Sequence, residues 1–472
     1  MKPYQLVVIG GGSGGLVVAL GAAGRGVKVA LVEKARPGGD CLWTGCVPSK
    51  TLIHSARRVQ AIRESEKAGL KKTEPAFSAA AVLAHVRAVR EGIAVHDSPE
   101  RLEKEGVEVI SGSPRFLDPN RIEVNGQVIE SKKFVIATGS RPRVFPIPGL
   151  EETGYITNED VFELEDLPRS LVQIGGGPIS VELGQALRRL GTEVTILDKA
   201  PQIMPREDND LAAIVRERME AEGVKFATGV DITGISREGG EKVVRYEKAG
   251  QKGEARGEEI LAAMGRAPNL EGLDLEKAGV EFTPKGIEVD ERLQTTAKNI
   301  WAVGDVKNKF LFTHAAEYEA RIVVQNALFP FKKKADYRVM PWCTFTDPEL
   351  ARVGLSEAEA KAAGLEYKLL EVPYREVDRA VTDGETAGRA RIVCGKKGKI
   401  LGAAIVGASA GELIHEWALA MQAGIPVTTL SGLVHVYPTL SRLNRKAADK
   451  YYADLLAGWK GRLLNRLAKL VN

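Results

Sequence analysis

The chain has 472 residues, which exceeds a single hydrophobic core and favours about three domains of roughly 150 residues each. Its 66 basic and 62 acidic residues nearly balance, so the charge gives no argument for a nucleic-acid partner. Hydrophobic residues make up 44% and charged residues 27%, as in globular proteins, and the 50 glycines show no collagen-like period. We therefore expect a multidomain globular protein whose glycines lie in turns and phosphate-binding loops.

Cysteine usage and hydropathy bear on the compartment. Four cysteines are too few for the disulfide framework of a secreted protein, and the first residues lack the basic, apolar and cleavage regions of a signal peptide. No uncharged apolar run reaches the length of about 18 residues that a membrane span needs. We expect a cytoplasmic protein without a membrane span.

A glycine-rich motif follows the first apolar run of the chain. Residues 4–9 predict a strand, Gly-Gly-Gly-Ser-Gly-Gly occupies residues 10–15, and a helical pattern then extends to about Arg25. A second predicted strand covers residues 27–33. This order of strand, glycine turn, helix and strand is typical of dinucleotide binding.

The residues at the key positions of this motif fit that function. Gly10 permits a tight turn, Gly12 lets a pyrophosphate approach, and Gly15 allows the helix to pack on the strand. Glu33, 23 positions after Gly10, is expected to bind a ribose hydroxyl. The first module is therefore predicted to bind a dinucleotide.

The same pattern recurs over residues 170–198. A predicted strand leads into Gly175-Gly176-Gly177-Pro178-Ile179-Ser180, a helix and a second strand, and Asp198 again lies 23 positions after the first glycine. Ser180 replaces the third glycine and is small enough for close packing. Two modules with the same spacing predict two bound nucleotides.

Cys41 and Cys46 are separated by four residues, directly ahead of a helical pattern. The positive end of a helix dipole favours the thiolate, which attacks disulfides, binds soft metals or donates to a flavin. The residues alone leave these chemistries open. Cys343 and Cys394 lie in strand-like runs and are expected to be inert core thiols.

The rest of the chain predicts further elements. Two long amphipathic helices are expected, one from the cysteine pair to about Gly69 and one over residues 79–106, and a proline-rich linker follows at 142–148. A later predicted strand ends at Asp305, whose carboxylate could bind a sugar or ribitol hydroxyl. From about Tyr337, β-rich runs alternate with helices and predict an α+β domain.

The whole chain resembles a class I pyridine nucleotide-disulfide oxidoreductase, the flavoprotein family of dihydrolipoamide dehydrogenase, glutathione reductase and mercuric reductase. The motifs that carry the resemblance are the Cys41/Cys46 loop with Pro48 and Lys50, both glycine motifs, Ala137-Thr138-Gly139, residues 265–269, Gly304-Asp305 and residues 341–354. The resemblance implies an α/β fold with two Rossmann-like nucleotide-binding domains and a C-terminal α+β dimerisation domain. The implied ranges are 1–148 for the FAD-binding domain with the redox disulfide, 149–268 for the NAD(P)-binding domain, 269–337 for the second part of the FAD-binding or central domain, and 338–472 for the interface domain.

The resemblance also implies the cofactors and their binding residues. The residues implied to bind FAD are Gly10, Gly12, Ser13, Gly14, Gly15, Glu33, Lys34, Gly39, Asp40, Lys50, Ala137, Thr138, Gly139, Gly304, Asp305 and Thr313. The residues implied to bind the nicotinamide dinucleotide are Gly175, Gly177, Pro178, Ile179, Glu182, Asp198, Lys199 and Gly265. Asp198 favours NADH because a carboxylate repels the 2′-phosphate of NADPH, whereas the neighbouring Lys199 leaves NADPH possible.

In the implied mechanism, hydride passes from the nicotinamide to the flavin, and the reduced flavin opens the disulfide. Cys46 is implied to face the flavin and Cys41 the substrate. Lys50 and Glu182 are implied to pair beside the flavin, where they would stabilise negative charge on the reduced ring, although Glu182 could instead be a solvated helix residue. Family members are homodimers whose C-terminal domain completes the partner's active site, and we expect the same here.

The segment from His435 to Arg442 departs from the family pattern. Dihydrolipoamide dehydrogenases and glutathione reductases carry a His before the proline and a Glu five residues after that His, where this chain has Tyr437 and Arg442. A tyrosine, with an ordinary pKa of about 10, is a poor proton donor for a departing thiolate. His435 would share the face of Tyr437 on a strand, so it either substitutes for the missing His or is a hydrogen-bonded interface residue.

Tyr437 fits mercuric reductase better, because metal reduction does not require thiolate protonation. The vicinal C-terminal cysteines of that enzyme are missing, since the chain ends Ala-Lys-Leu-Val-Asn. The resemblance also implies a cis bond between Tyr437 and Pro438. The last residues, 459–472, form a basic amphipathic pattern that either packs on the partner subunit or lies on a membrane surface.

These observations predict an FAD-dependent NAD(P)H oxidoreductase that passes electrons through Cys41 and Cys46 to an unassigned acceptor. The acceptor is expected to be a metal ion, a quinone or a small disulfide, and no resident metal site and no nucleic-acid partner are expected. The alternative is a redox-sensing or peripheral membrane flavoprotein with slow turnover.

Overall fold

The computed structural model describes residues 3–457 and the isolated positions 466, 468 and 470. Apart from these three positions, the predicted amphipathic tail at 459–472 lies outside the described residues. Contacts group the chain into a first unit, made of residues up to His54, Phe77–Leu167 and Glu259–Asp336, and a second unit, made of Ser55–Ala76, Pro168–Glu258 and the residues from Tyr337 onward. In the part of the chain that is described, no helix is long and apolar enough to cross a membrane.

The first unit is built on a parallel sheet of five strands. In order across the sheet these are Ile300–Ala302, Phe134–Ile136, Leu6–Ile9, Val29–Glu33 and Val107–Ser111. The central strands are apolar and buried at almost every position, as expected where both faces of a parallel sheet are covered. The carboxyl ends of these strands therefore meet at one edge, where a ligand can bind.

Helices and smaller sheets complete the first unit. Its α-helices are Ser13–Ala23, Gly39–Trp43, the start of Cys46–Arg63, Ala79–Ala94, Pro99–Lys104, Leu150–Thr153 and Thr313–Leu328. Its other strands are Pro114–Asp118, Arg121–Val124, Gln127–Glu130, Ser140–Pro142, Glu259–Ala262, Arg266–Pro268, Phe282–Thr283 and Gly286–Ile287. Its short 3₁₀ turns are Val95–Asp97, Val161–Glu163, Leu275–Ala278 and Gly304–Lys307.

The second unit contains the second glycine motif and the C-terminal domain. The parallel strands Ser170–Ile174, Glu193–Asp198 and Lys225–Thr228 are followed by an antiparallel sheet of Asp231–Glu238, Glu241–Lys248 and Gln251–Gly257. The C-terminal sheet is antiparallel, in the order Pro341–Thr344, Glu349–Gly354, Ile400–Gly407, Arg389–Cys394 and Lys368–Pro373. Its core packs around the fully buried Trp417 and Tyr374.

The α-helices of the second unit follow the predicted alternation. They are Pro178–Arg189, Asn209–Ala221, Glu357–Ala362, Asp378–Thr382, Ala410–Gln422, Val427–Gly432 and Arg442–Ala457. Its 3₁₀ turns are Ser65–Ala68, Tyr374–Glu376 and Lys396–Gly398. Helix Glu357–Ala362 begins at Ser356 with a capping box, in which the Ser356 hydroxyl and the Glu359 carboxylate each accept a backbone N–H.

Three local predictions were wrong in detail. The helix expected over 79–106 breaks before Pro99, because a proline disfavours helical geometry in the preceding residue, here the extended Ser98. The helix from the cysteine pair ends at Arg63 and gives way to a 3₁₀ turn before Gly69, whose φ is +76°. Asp305 lies in the 3₁₀ turn Gly304–Lys307 and not at the end of a strand.

The buried charge network around Arg189 is expected to stabilise the second unit. Its guanidinium contacts Glu222 at 2.6 Å and Asp347 at 2.8 Å, and the Arg189 side chain is only 2% exposed. Arg189→Met should lower the free energy of unfolding by about 3 kcal/mol, because it leaves two carboxylates without this cation.

Urea denaturation followed by circular dichroism measures the effect. The matched control is Lys396→Met, which removes an ion pair with Glu366 that is mostly exposed and should cost less than about 1 kcal/mol. Equal effects of the two substitutions would contradict the importance of the Arg189 network.

Candidate functional site

The first glycine motif makes contacts that only glycine allows. Gly10 has φ +102°, and a Cβ there would lie 2.4 Å from the Ala137 carbonyl oxygen. A Cβ at Gly15 would lie 1.9 Å from the Gly10 carbonyl oxygen. The helix Ser13–Ala23 can therefore approach strand Leu6–Ile9 only with glycine at these positions.

Gly12 is different, because the packing of the chain does not require it. An added Cβ would meet no protein atom nearer than 3.9 Å, and the backbone at φ −76° and ψ −177° suits any residue. Gly177, in the second motif, has φ −75° and ψ −179° and nothing within 4 Å of an added Cβ. Both glycines precede the first helical residue, so each leaves room for a pyrophosphate at a helix N-terminus.

The two acidic residues at the ends of the second strands have the same contacts. Glu33 accepts hydrogen bonds from the backbone N–H of Gly11 at 2.5 Å and of Ala35 at 2.8 Å. Asp198 accepts equivalent bonds from Gly176 and from Ala200, the latter at 2.6 Å. Each carboxylate is therefore held beside its glycine turn, where a ribose hydroxyl would bind.

The segment that carries the two cysteines, residues 38–46, is called the redox loop below. Its first residues contact the first glycine motif. Gly38 N–H donates to the Gly11 carbonyl at 2.8 Å, and a Cβ on Gly39, at φ +60°, would lie 2.7 Å from Gly12 Cα. This backbone contact brings the cysteine segment to the edge of the sheet where the first dinucleotide is expected.

Cys41 and Cys46 lie side by side although they belong to different helices. Cys41 is in the short helix Gly39–Trp43, and Cys46 is the first residue of helix Cys46–Arg63, as the helical pattern predicted. Both are thiols in this structure. A hydrogen bond to Cys46, together with burial, raises the pKa of the Cys41 thiol far above its ordinary value, and the Thr313 hydroxyl opposes this shift. The Cys46 sulfur lies 3.6 Å from that hydroxyl, so Thr313 contacts the pair directly.

Side chains that the sequence analysis did not assign hold the redox loop. The Trp43 indole N–H donates to the Pro37 carbonyl at 2.8 Å, and the Arg36 guanidinium lies 3.7 Å from the ring centroid. The Thr44 hydroxyl donates to Asp40 at 2.8 Å. No local sequence pattern indicates these contacts.

Asp305 belongs to a charged cluster within the first unit. Its carboxylate accepts from the Ser140 hydroxyl at 2.6 Å, and the Arg266 guanidinium lies 3.7 Å from Asp305 and 3.1 Å from Asp40. Burial raises the pKa of Asp305, and the hydrogen bond from Ser140 lowers it. The sequence analysis assigned Gly265 in the motif 265–269 but missed Arg266, which joins the redox loop to the Asp305 turn.

The turn at Thr138 and Gly139 is closed by Asn269. The Thr138 hydroxyl donates to the Asn269 carbonyl at 2.8 Å, and the Asn269 amide donates back to the Thr138 carbonyl at 2.9 Å. Gly139 has φ +69° and no atom within 4 Å of an added Cβ, which again leaves room for a ligand beside the backbone.

The other residues assigned to FAD lie on the same elements. Ser13 and Gly14 start the helix Ser13–Ala23, and a Cβ on Gly14 would lie 3.1 Å from the Val303 side chain. Ala137 is buried beyond strand Phe134–Ile136, and Lys34 is exposed next to Glu33.

The nicotinamide-assigned residues lie at the second motif, apart from Gly265. Gly175 has φ +108°, Pro178 is the first helical residue, and Ile179 follows it. Lys199 is exposed and forms an ion pair with Asp231 at 2.8 Å. The carboxylate of Asp198 and the cation of Lys199 are therefore both present where the second ribose is expected.

Comparison with known proteins identifies the family. The family model described as pyridine nucleotide-disulphide oxidoreductase matches residues 4–320, and the one described as the dimerisation domain of such proteins matches residues 340–448. The chain belongs to the pyridine nucleotide-disulphide oxidoreductase family. Its members use FAD and a pyridine nucleotide, so the chain is a flavoprotein oxidoreductase with a redox cysteine pair, as the resemblance implied.

Individual relatives are named for different substrates. The chain is 36% identical over 458 residues to a mercuric reductase of Staphylococcus aureus, covering 96% of this chain and 83% of the relative. It is 37% identical over 475 residues to a dihydrolipoyl dehydrogenase of Thermus scotoductus, covering 97% and 99%.

Two solved structures are also similar. The HOCl-induced flavoprotein disulfide reductase RclA of Escherichia coli has a TM-score of 0.83 at 30% identity, covering 94% of this chain and 99% of that chain. LpdA of Mycobacterium tuberculosis has a TM-score of 0.86 at 27% identity, covering 95% and 99%.

The family's cofactor fits the residues present. The first glycine motif, Glu33 and the Gly139 turn provide backbone groups and open space along one edge of the parallel sheet. Asp305 and Ser140 add polar side chains at the same edge. These residues would hold FAD, and the second motif would hold the pyridine nucleotide.

Glu182 is not the solvated residue of the alternative interpretation. It is 6% exposed, and its carboxylate accepts from the Phe345 backbone N–H at 2.8 Å within the second unit. Lys50 lies in the second turn of helix Cys46–Arg63, and its pairing with Glu182 stays a prediction.

The departure near the C-terminus is visible in the structure. The bond between Tyr437 and Pro438 is cis, as predicted. Residues 433–437 do not form a strand, so the strand from which a shared face of His435 and Tyr437 was expected is not present. Tyr437 is 62% exposed, and the Arg442 guanidinium lies 5.4 Å from its ring centroid.

His435 is instead turned into the domain. Its Nδ1 lies 3.1 Å from the Leu433 carbonyl oxygen and its Nε2 lies 3.0 Å from a carboxylate oxygen of Glu416. Both neighbours are acceptors, so the ring is held between the Leu433 carbonyl and the Glu416 carboxylate. Glu416 is in turn held by the fully buried Asn444, which donates to it at 2.8 Å and accepts from the Trp417 indole.

Gly12 borders open space, whereas Gly15 packs against the Gly10 carbonyl, so we expect substitution of Gly12 to affect FAD binding and substitution of Gly15 to affect stability. Gly12→Ala should change the unfolding free energy of the apoprotein by less than about 1 kcal/mol but weaken FAD binding at least about tenfold, because the methyl group enters the cofactor's space. Flavin titration of the apoprotein and urea denaturation measure the two quantities.

Gly15→Ala is the matched control. Its methyl group overlaps the Gly10 carbonyl, so it should destabilise the apoprotein by about 3 kcal/mol. A Gly12→Ala protein that binds FAD like the wild type would show that this glycine does not line the cofactor site.

Proposed function

We propose that the chain is an NADH-dependent reductase of a thiophilic metal ion, which binds as substrate to the thiolates of Cys41 and Cys46. The observation that supports this proposal is the set of contacts made by His435 and Tyr437, the two residues closest in sequence to the positions of the missing acid/base dyad. Both ring nitrogens of His435 lie within hydrogen-bond distance of acceptors, and the Tyr437 ring lies beside the guanidinium of Arg442.

This arrangement disfavours turnover of a disulfide substrate. Opening a disulfide releases a thiolate that needs a proton, and a positioned acid typically contributes a factor of about 100 to 10,000. Tyr437 is poorly suited to that role, because a phenol is a weaker acid than the imidazolium of histidine and Arg442 offers no carboxylate to orient it. A metal ion needs no such proton.

The cysteine pair itself suits a soft metal. Thiolates select soft ions over hard ones, and two thiolates from one loop can bind a linear or bent complex. Among the described residues no group of three or more His, Cys, Asp or Glu is arranged to hold a metal ion. The proposed site for the substrate ion is therefore the cysteine pair itself.

Some relatives are named for a metal acceptor, whereas others are named for dihydrolipoamide. One is named a mercuric reductase, and the RclA structures include a complex with Cu(II). The balance is simple: NADH becomes NAD⁺ and a proton, and its two electrons reduce one Hg(II) to Hg(0) or two Cu(II) to Cu(I). Bound FAD supplies the two-electron relay between the dinucleotide and the cysteine pair.

Within this proposal the residues have distinct roles. Cys46 is the thiol on the flavin side, close to Thr313, and Cys41 is the thiol that first takes the acceptor. Lys50 and Glu182 pair beside the flavin, and Asp198 binds the ribose and favours NADH over NADPH. The dimerisation domain places Tyr437 of each protomer at the active site of its partner.

A turnover assay tests the acceptor. NADH and NADPH are offered with Hg(II), Cu(II), lipoamide, glutathione disulfide, a quinone or oxygen, and NADH oxidation is followed. We expect the metal ions with NADH to be at least about tenfold faster than lipoamide, and Cys41→Ser to abolish this activity.

Cys394→Ala is the control, because Cys394 is a buried strand residue. Metal-dependent turnover that survives in Cys41→Ser, or faster turnover of lipoamide, would refute the proposal. Negligible turnover with every acceptor would favour the redox-sensing alternative.

A second experiment restores the missing dyad. Tyr437→His combined with Arg442→Glu should raise lipoamide turnover at least about tenfold, because it supplies an acid/base group with a carboxylate to orient it. The control is Tyr437→Phe with Arg442→Gln, which removes the same residues without adding the dyad. If both double variants reduce lipoamide at the wild-type rate, the missing dyad is not what limits disulfide turnover.

A further inference from the structure

A buried ion pair lies behind the Gly304-Asp305 turn. The ammonium group of Lys307 lies 2.6 Å from Oε1 of Glu319, and the two side chains are only 3% and 1% exposed. Burial lowers the pKa of Lys307, and the negative charge of Glu319 opposes this shift. Neither residue was assigned a function from the sequence.

The second carboxylate oxygen of Glu319 acts on the backbone of the turn. Oε2 accepts the Gly304 N–H at 2.7 Å. Gly304 has φ +74°, which favours glycine, and a Cβ there would lie 3.2 Å from the Ala316 methyl group. The carboxylate therefore holds the peptide between Val303 and Gly304, one peptide before that of Asp305.

The same pair connects this turn with the redox cysteines. Lys307 ends the 3₁₀ turn that contains Asp305, and Glu319 lies on helix Thr313–Leu328. The first residue of that helix is Thr313, whose hydroxyl contacts the Cys46 sulfur. A shift of the helix relative to the turn would move Thr313 away from Cys46 and change the orientation of the Asp305 side chain.

Stability by itself does not explain such a pair. Removing two charges from water is costly, and a well-packed apolar pair of the same volume often stabilises a core equally well or better. What an ion pair adds is a defined geometry, because the charged groups must meet at hydrogen-bond distance. Here the ion pair joins the turn whose Gly304 N–H is bound by Glu319 to the helix whose Thr313 hydroxyl contacts the Cys46 sulfur.

We propose that Lys307 and Glu319 are positioning residues of the flavin site, which hold the Gly304-Asp305 turn against helix Thr313–Leu328. The pair presents Asp305 to the ribitol chain of FAD and Thr313 to Cys46. The proposal rests on the assignment of Asp305 to FAD and is independent of the acceptor.

The test compares Lys307→Met with Lys307→Arg. We expect Lys307→Met to raise the dissociation constant of FAD at least tenfold and to shift or weaken the long-wavelength absorbance band of the two-electron-reduced enzyme. Lys307→Arg keeps the charge and should recover most of the affinity. FAD binding is followed by flavin fluorescence, and the unfolding midpoint of the apoprotein is measured in parallel.

Lys277→Met is the matched control, since it removes the partly exposed ion pair of Lys277 with Asp274 in the same unit. It should leave FAD affinity and the absorbance band unchanged. Should Lys307→Met fail to accumulate as folded protein, Lys307→Gln takes its place.

Two results would overturn the proposal. The first is a Lys307→Met protein with wild-type FAD affinity and absorbance, whether or not its unfolding midpoint falls, because the pair would then only stabilise the fold. The second is unchanged FAD affinity in Asp305→Asn, which would show that the turn does not hold the cofactor. Neither measurement depends on which acceptor the enzyme reduces.

Discussion

The contact between two glycine backbones is the constraint on which the first unit depends. Gly38 and Gly39 lie directly against Gly11 and Gly12, so close that a side chain on Gly39 would overlap Gly12. This contact joins the segment that carries the cysteines to the loop that is predicted to bind the pyrophosphate. The position of the cysteine segment relative to this loop is therefore set by backbone packing.

Polar side-chain contacts add further links between the segments of the first unit that this packing brings together. Arg266 joins Asp40 of the redox loop to Asp305, and Glu319 joins the Gly304 backbone to the helix that begins at Thr313. Each link connects segments that are more than a hundred residues apart or lie on different elements. Together they connect the segments that are proposed to line the flavin, whereas the proposed acceptor side includes Tyr437, which is exposed on the single chain.

In our proposal, the residues around Tyr437 decide which electron acceptor is reduced, so that the same fold can serve different substrates. The family models match residues 4–320 and 340–448, and relatives named for mercury and for dihydrolipoamide are similar to this chain to nearly the same degree. We propose that the difference lies in the C-terminal segment, where His435 contacts Glu416 and the Tyr437 ring lies beside Arg442. Global similarity therefore cannot decide the acceptor, while a few side chains can.

The sequence by itself determined both dinucleotide motifs and the cysteine pair, and its resemblance to the family implied the fold class and the cis bond before Pro438. These features depend on local spacing, and glycine, proline and acidic residues at fixed intervals have few structural alternatives. Only the tertiary structure decided that His435 turns away from Tyr437, that Glu182 is buried, that Arg266 reaches Asp40, and that Lys307 meets Glu319. Such contacts join side chains distant in the chain, and their geometry depends on how the elements pack, which no local pattern specifies.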